Sequence, residues 1–509
     1  MNSIKYKLLG TKNVRFDIFF YFFHFLPNNL LADNIAVCVI LIAPPPLYHK
    51  QFLSLFQTFQ TAVLTITAIE VFPFIAYSTC MKYFSNEPDL QTTLLNRFVK
   101  YVKVWTESSS KNADKGIQPS TECQISFAKN LAEEIKEIGL KEVQVTEFGY
   151  VYAVLPASKG FENVPPFCLL SHMDTVEEVT GKDVKPIIHP SYDGAKIDLQ
   201  CGVSLDIKED ECLAKAAQQN DTIITTDGTT LLGADDKAGL SEIVSSLEFL
   251  VSHKGIKHGP IEVIFSPDEE TGHGMDRVPL NLIKSKFAYT VDGGHIGELE
   301  SECFNAYGAT VTFIGKSTHT GDARKKGMVN AICAASLFVQ SLPPAERPET
   351  TDGYQGFFAV LGIQGSVEKA SVNLILRDFS EEGMNARIEK LKHFAISSAE
   401  SYGARVDVEF KAQYKNMKGE LEKNPEVVQN LENAYKEADV EILHTPIRGG
   451  TDGSRLTELG IPTPNIFTGG HNFHSRYEWA SLSQMCAACD VLISLAEIVA
   501  ANGHKNKKK

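Results

Sequence analysis

From about residue 90 onward, short apolar runs alternate with segments in which apolar residues recur at helical spacing. Two helices are predicted at 94–104 and 127–138, and short buried strands at 167–170, 261–265, 288–291 and 465–467. Between the first two strands, the apolar residues from Leu240 to Val251 form a single stripe, which predicts a helix that packs against a sheet on one side. Strands alternating with helices predict an α/β fold with a mostly parallel sheet covered by helices.

A second pattern interrupts this one between residues 304 and 413. Strands are predicted at 309–314, 357–363, 371–376 and 406–410, with helices at 329–342 and 383–401. The order β-α-β-β-α-β is that of a split βαβ sandwich. We therefore expect an inserted smaller lid domain at 304–413, a catalytic domain built from 90–303 and 414–503, and a basic tail at 504–509.

Composition narrows the function classes. The 509 residues carry 49 Lys and Arg against 63 Asp and Glu, a net charge of −14, which argues against a nucleic-acid-binding protein. Ten cysteines in a chain of this length indicate no disulfide framework. The sequence has neither GxxxxGK nor GxGxxG, so no nucleotide site is expected. Free thiols favour the cytoplasm.

Residues 1–80 differ from the rest of the chain because they are rich in aromatic residues, including the run FFYFF at 19–23. Three interpretations stay open: a spurious or dispensable extension, a membrane or targeting segment, or a folded unit. A spanning helix needs about 20 mostly apolar residues, and the uncharged stretch 51–69 is interrupted by Gln and Thr. We expect a chain that starts at Met81 to fold and to work.

Acidic and histidine residues follow the predicted strands. The motifs are SHMDT (171–175), LLGADDKAG (231–239), SPDEETG (266–272), TVDGG (290–294) and GGHNFHS (469–475). Because the carboxyl ends of parallel strands share one edge, these turns are expected to converge there. Clustered carboxylates need a cation, and carboxylate with imidazole suits zinc, with Co²⁺ or Mn²⁺ as substitutes. The set suffices for two ions that share a carboxylate, with one glutamate left to deprotonate water.

These motifs, with RGGTDG (448–453) and NIFTGG (465–470), resemble the dinuclear zinc exopeptidase and deacylase family, in particular its tripeptide-aminopeptidase branch. The resemblance covers about residues 94–500. It implies two Zn²⁺ ions per subunit, one held by His172, Asp235 and Asp292 and the other by Asp235, Glu270 and His474. It also implies that Asp174 orients His172 and that Glu269 moves the proton of the attacking water.

The resemblance also implies substrate contacts through His319 of the lid and through Arg377 and Arg448, whose guanidinium groups suit a peptide carboxylate. Thr320 stands where the family often has proline, and His471 and Phe473 stand where relatives often have tyrosines. We expect the first departure to change the local shape of the lid loop, and the other two to affect the pocket wall more than the metal. The group that holds the substrate ammonium is not identified by spacing.

Several residues have plainer interpretations. Asp236 is expected to cap the helix that follows, Asp268 to be structural, and Cys486 and Cys489 to pack inside a C-terminal helix. His471 stays open as a rival metal ligand to His474.

The sequence thus predicts a zinc aminopeptidase acting on short peptides with a free N-terminus, chiefly tripeptides. A dipeptidase or N-acyl amino-acid deacylase on the same site is one alternative, and a non-catalytic binding protein on this scaffold is another. Family members are often dimers, so a homodimer is a further open expectation.

Overall fold

The computed structural model describes residues 82–506 and the backbone of three short strands nearer the N-terminus. These strands are β1 (Ser3–Lys7), β2 (Asp17–Phe22) and β3 (Val37–Ile40), which pair as an antiparallel sheet within a separate compact unit, Met1–Thr79. Apart from these strands, the predicted extension at 1–80 lies outside the described residues, and so do the last residues of the basic tail. The three interpretations of the extension stay predictions.

An eight-stranded sheet forms the centre of the unit Cys80–Lys509. The strands that follow β3 in this unit are β4 (Lys141–Val145), β5 (Val151–Leu155), β6 (Phe167–His172), β7 (Ile187–His189), β8 (Ile197–Asp198), β9 (Ser204–Leu205), β10 (Ile223–Thr225), β11 (Ile261–Ser266), β12 (Ala288–Gly293), β13 (Glu298–Glu300), β14 (Asn305–Ile314), β15 (Phe357–Gly365), β16 (Lys369–Asp378), β17 (Arg405–Tyr414), β18 (Leu443–His444), β19 (Asn465–Phe467), β20 (Gly470–His471) and β21 (Trp479–Ser481). The central order is β18-β13-β19-β12-β6-β11-β5-β4.

The middle of this sheet is parallel: β19, β12, β6 and β11 run side by side in one direction. Antiparallel strands flank them, β5 beside β11 and β13 beside β19. All four strands predicted from the short apolar runs lie in this parallel part. The predicted mostly parallel sheet is therefore confirmed, with antiparallel strands added at both sides.

Helices cover both faces of the central sheet, and further helices belong to the inserted unit. They are α1 (Pro88–Val102), α2 (Ser110–Ala113), α3 (Glu122–Ile138), α4 (Glu211–Gln218), α5 (Ala234–Ser252), α6 (Ala323–Lys326), α7 (Ala331–Ser341), α8 (Glu381–Tyr402), α9 (Lys418–Leu421), α10 (Pro425–Glu437), α11 (Asp452–Glu458) and α12 (Leu482–Asn506). Within α12, the segment Leu482–His504 is long and apolar enough to cross a membrane, yet 83% of its most apolar window is buried inside the protein. It is a core helix, and Cys486 and Cys489 are buried in it, as predicted.

Helix α5 is buried far more completely than a one-sided stripe predicts. Lys237, Ser241 and Glu242 on its polar side are as inaccessible as the leucines. The reason is that α1 and α12 pack on the side of α5 that faces away from the sheet. The apolar stripe predicts the packing of α5 against the sheet, and the packing of α1 and α12 on its other side is additional.

The inserted unit contains β14, α7, β15, β16, α8 and β17 in chain order, which confirms the predicted β-α-β-β-α-β pattern. Its sheet has the order β15-β16-β14-β17, and every neighbouring pair is antiparallel. It has its own apolar core, in which Val311, Phe313 and Phe338 are fully buried. This core is separate from that of the central sheet, as expected for a small domain inserted in a larger one.

Candidate metal centre

The predicted metal ligands come from turns at one edge of the parallel sheet. His172 is the last residue of β6, Glu270 lies in the 3-10 turn that follows β11, and Asp292 is near the end of β12. Asp235 stands at the beginning of α5, and His474 follows β20. Because β6, β11 and β12 are parallel, their carboxyl ends place these side chains together.

Asp235 is at the centre of the cluster. Its Oδ1 lies 2.8 Å from His172 Nε2, and its Oδ2 lies 3.1 Å from His474 Nε2. The remaining two ligands stand outside this pair: Glu270 Oε2 is 2.9 Å from His474 Nε2, and Asp292 Oδ1 is 3.6 Å from His172 Nε2. Each oxygen of Asp235 therefore faces a different histidine, with one more carboxylate on each side.

This donor set fits two divalent cations. Imidazole nitrogens and carboxylate oxygens are the ligands that zinc takes in proteins, and a carboxylate between two ions is usual in dinuclear sites. One donor atom of each of His172, Asp235 and Glu270 lies within 4.8 Å of the others. Glu270 Oε1 is buried and has no hydrogen-bond partner among the described residues. A cation would satisfy this atom and would neutralise the clustered charge.

In the metal-free protein, protons take the place of the cations. Burial raises the pKa of Glu270 to about 8 and the pKa of Asp292 to about 6. Hydrogen bonds to Asp235 and Glu270 raise the pKa of His474 to about 11. At neutral pH Glu270 and His474 therefore hold protons that a cation must displace, and Asp292 takes up its proton only near pH 6.

Metal affinity is therefore expected to rise with pH. Groups with a raised pKa in the metal-free state release protons on metal binding, so lowering the pH from roughly 8 to 6 should weaken binding about tenfold per pH unit for each proton released. Competition for zinc against a chelator of known pH behaviour measures this. An affinity that does not change with pH, once the chelator is corrected for, would contradict the protonated cluster.

Asp174 links the ligand His172 to the turn that carries Glu269. Its carboxylate accepts the backbone N–H groups of Glu269 (3.0 Å) and Glu270 (3.2 Å). The Nδ1 of His172 lies 3.1 Å from the carbonyl oxygen of Asp174 and 3.4 Å from its carboxylate. Asp174 thus sets the ring orientation of His172 mainly through its backbone, and its carboxylate shapes the turn.

Burial raises the pKa of the Glu269 carboxyl well above its usual value.

The two neighbouring acids have structural contacts. Asp236 is fully buried and accepts the backbone N–H groups of His172 and Gly239, each at 3.2 Å, so it caps the continuation of α5. Asp268 accepts hydrogen bonds from the backbone N–H of Ser120 at 2.8 Å and from Gln124 Nε2 at 2.7 Å. These contacts agree with the predicted capping role of Asp236 and the predicted structural role of Asp268.

Glu478 is a supporting residue that sequence reasoning missed. Its buried carboxylate accepts the backbone N–H groups of Leu232 and Gly233, both at 2.7 Å, and of Asp235 at 3.2 Å. It therefore fixes the loop from which Asp235 projects. Nothing in the sequence indicates this, because 243 residues separate Glu478 from Asp235.

Replacing Glu478 by glutamine is expected to weaken metal binding about 10- to 100-fold, the usual effect of a group that orients a metal ligand. The matched control is Glu262→Gln, because Glu262 is also buried and accepts the backbone N–H groups of Lys284 and Ser285 at 3.0 and 2.8 Å, at the other end of β11. Zinc affinity measured by calorimetry should fall only in the first variant. Equal affinities in both variants would remove this role from Glu478.

Lys237, also missed, is fully buried beside the acidic cluster. Its Nζ donates a hydrogen bond to Thr106 Oγ1 at 2.6 Å and lies 5.4 Å from the centre of the Phe127 ring. Burial lowers the pKa of Lys237 to about 8, although the nearby Asp174 and Glu478 favour its charged form. A positive charge here offsets part of the negative charge around Asp235.

The predicted substrate residues make their hydrogen bonds away from this cluster. His319 is exposed on the inserted unit, and its Nδ1 accepts the backbone N–H of Gly321 at 3.2 Å. Arg448 donates hydrogen bonds to the carbonyl oxygens of Gly353 and Gln355 at 2.6 and 3.0 Å. In this conformation Arg448 therefore fastens a loop of the inserted unit, and its role toward substrate stays a prediction, as does that of His319.

Arg377 is half-buried, and its guanidinium carbon lies 5.4 Å from the centre of the Tyr414 ring. Burial raises the pKa of Tyr414 to about 12, and the charges that act on its hydroxyl include Arg377 and Glu269. The Glu269 charge thus acts on the Tyr414 hydroxyl, and the role of Arg377 toward substrate stays a prediction. His471, the rival ligand, stacks on Trp479 at 4.0 Å and takes no part in the contacts around Asp235.

The fold and the carboxylate–histidine cluster define a metallopeptidase-like protein, and sequence comparison agrees. The profile of Peptidase family M20/M25/M40 matches residues 226–498, and the chain belongs to this family. It is 47% identical over 405 residues to peptidase T of Clostridium perfringens (strain 13 / Type A), a match that covers 79% of this chain and 98% of that protein.

Solved structures agree with this. Aminopeptidase PepT from Bacillus cereus superposes with a TM-score of 0.62 at 25% identity, over 81% of this chain and 99% of that chain. A dinuclear metal-binding M20 peptidase from Bacillus subtilis superposes with a TM-score of 0.56 at 15% identity, over 82% and 99%, which supports the fold.

Proposed function

We propose that the chain is a dinuclear metal-dependent aminopeptidase that removes the N-terminal residue from tripeptides. The observation that carries the proposal is the position of Asp235 between His172 and His474, with Glu270 and Asp292 on either side. The high identity to peptidase T over nearly its whole length supports the hydrolase and aminopeptidase activity.

Each residue has a defined part in this proposal. His172, Asp235 and Asp292 would hold one ion, and Asp235, Glu270 and His474 the other. The two ions, for which zinc is the best match to these donors, would polarise the scissile carbonyl and acidify water. Asp174 orients His172 and the Glu269 turn through the contacts described above.

Glu269 is the proton carrier. Its carboxylate takes a proton from the attacking water and later delivers it to the leaving amine. Burial raises the pKa of Glu269, which makes its carboxylate a stronger proton acceptor. Arg377 and Arg448 are the candidates to bind the carboxylate of the peptide, and His319 is the candidate to reach the scissile carbonyl from the inserted unit.

A substrate panel separates this activity from its alternatives. Tripeptides with a free N-terminus should be cleaved at least about tenfold faster, in kcat/KM, than dipeptides, because a dipeptide lacks the residue that would carry the C-terminal carboxylate out to Arg377 and Arg448. N-acetylated amino acids should not be cleaved. Faster cleavage of dipeptides or of acylated amino acids would instead assign a dipeptidase or a deacylase. Turnover of any of them would exclude the non-catalytic binding protein.

The proposal also includes a cellular location and an oligomeric state. We place the enzyme in the cytoplasm, acting without a nucleic-acid or nucleotide partner. We also propose a homodimer, supported by the exposed apolar side chains of Leu361 and Ile363 on β15, the edge strand of the inserted sheet. Light scattering at several concentrations tests it, and a monomer at all of them would overturn it.

A further inference from the structure

A second group of metal-binding side chains lies beside the candidate centre. Cys212 is on α4, His295 is in the turn after β12, and His471 is in β20. One donor atom of each lies within 4.8 Å of the others. Bonds of about 2.0–2.3 Å to a tetrahedral zinc require donor atoms roughly 3.3–3.8 Å apart, so small side-chain adjustments suffice.

Both imidazoles of this group have an unsatisfied nitrogen. His471 is 92% buried (8% exposed) and stacks on Trp479 at 4.0 Å. Its Nε2 has no hydrogen-bond partner among the described residues, and neither has the buried Nδ1 of His295. The two rings lie 5.6 Å apart, centre to centre. Two buried unpaired nitrogens in neighbouring rings are costly unless something else binds them.

The nearby polar groups already have other partners. The Asp210 carboxylate accepts hydrogen bonds from Trp479 Nε1 and Asn472 Nδ2, each at 3.0 Å. The carbonyl oxygen of the Gln484 side chain accepts the backbone N–H of Ile296 at 2.9 Å, and the same side chain interacts with both imidazoles, yet it leaves His471 Nε2 and His295 Nδ1 without a partner among the described residues. A cation that takes nitrogen and sulfur ligands would satisfy both imidazoles at once.

We propose that Cys212, His295 and His471 bind one zinc ion, distinct from the two ions around Asp235. Two imidazoles and one thiolate are a ligand set that zinc takes with a fourth position left for another ligand. Cys212 also lines a cavity of about 540 Å³ whose wall includes Asp210, Asn472 and Phe473. On binding, the Cys212 thiol releases its proton to solvent and the sulfur forms the bond to zinc.

The position of this ion gives it a structural consequence. His471 precedes the predicted ligand His474 by three residues, and Phe473 and Asn472 lie between them. An ion on His471 would fasten this segment to α4 and to the turn after β12. The third ion therefore holds in place the loop from which His474 reaches Asp235.

Cobalt titration of the full-length, metal-depleted protein tests the site. Cobalt bound to a thiolate gives a charge-transfer absorption in the near ultraviolet, and the ligands around Asp235 contain no sulfur. We expect this absorption in the wild type and in the control variant Cys333→Ser, whose cysteine lies on α7 of the inserted unit. We expect it to be lost in Cys212→Ser and the cobalt affinity to fall at least tenfold in His295→Gln.

Absence of the absorption in the wild type, or its survival in Cys212→Ser, would overturn the proposal. A measurement that needs no variant guards against misfolding of Cys212→Ser. Zinc X-ray absorption of the wild-type holoenzyme should show a sulfur neighbour at about 2.3 Å. A zinc environment of only nitrogen and oxygen would also overturn the proposal.

Discussion

Replacing Glu269 by glutamine is expected to lower kcat for tripeptide hydrolysis by about 10²- to 10⁴-fold, the usual contribution of a positioned general base. The amide keeps the size of the side chain and cannot accept a proton from water. Glu269 is held by the contact of its backbone N–H with Asp174, which the substitution leaves in place. Both metal ions should therefore still bind.

Steady-state kinetics together with metal analysis of the purified variant measures this. The matched control is Glu177→Gln, an exposed glutamate in the loop after β6, at the same edge of the sheet. The control should keep the wild-type kcat. A Glu269→Gln enzyme with wild-type kcat, or one that has lost its metal, would remove the proton-carrier role.

Replacing Asp235 by alanine is expected to abolish tripeptide hydrolysis and to weaken the binding of both ions more than about 100-fold, beyond the effect of groups that only orient a ligand. The two carboxylate oxygens of Asp235 face the two histidines, His172 at 2.8 Å and His474 at 3.1 Å. Removing Asp235 takes one ligand from each ion. It leaves His172 with Asp292, and His474 with Glu270, and no carboxylate between the two histidines.

The neighbouring variant Asp236→Asn is the control for this experiment. Asp236 accepts the backbone N–H groups of His172 and Gly239 through different carboxylate oxygens, so the amide oxygen of asparagine can keep one of these two hydrogen bonds. We expect lower thermal stability and retained zinc in that variant. Zinc titration followed by calorimetry distinguishes the two variants, and as many tightly bound ions in Asp235→Ala as in the wild type would contradict the shared ligand.

The parallel sheet and the position of its acidic turns could be predicted because the relevant signals are local. A short apolar run followed by His172, or by Glu269 and Glu270, marks both a buried strand and its carboxyl end. Parallel strands then bring those ends to one edge whatever the loops between them do. The inserted unit could be predicted equally well, since each strand and helix from β14 to β17 has its own periodic pattern of apolar residues.

The remaining features depend on contacts between distant segments. The polar side of α5 is buried because α1 and α12 pack against it. The small and polar residues on that side do not predict this packing from the sequence. Likewise, the contact of Glu478 with Gly233 and the contact of Arg448 with Gly353 join residues that are distant in sequence and meet only in the folded chain. The pair His295 and Cys212 comes together with His471 in the same way, from three separate elements.

The central claim is that Asp235 is shared by two cations, and anomalous X-ray diffraction from crystals of the zinc-loaded protein tests it most directly. We predict two zinc peaks about 3.5–4 Å apart, one on each side of the Asp235 carboxylate. One peak should lie against His172 and Asp292, and the other against Glu270 and His474. A single peak at this cluster, or zinc bound only beyond reach of Asp235, would contradict the account.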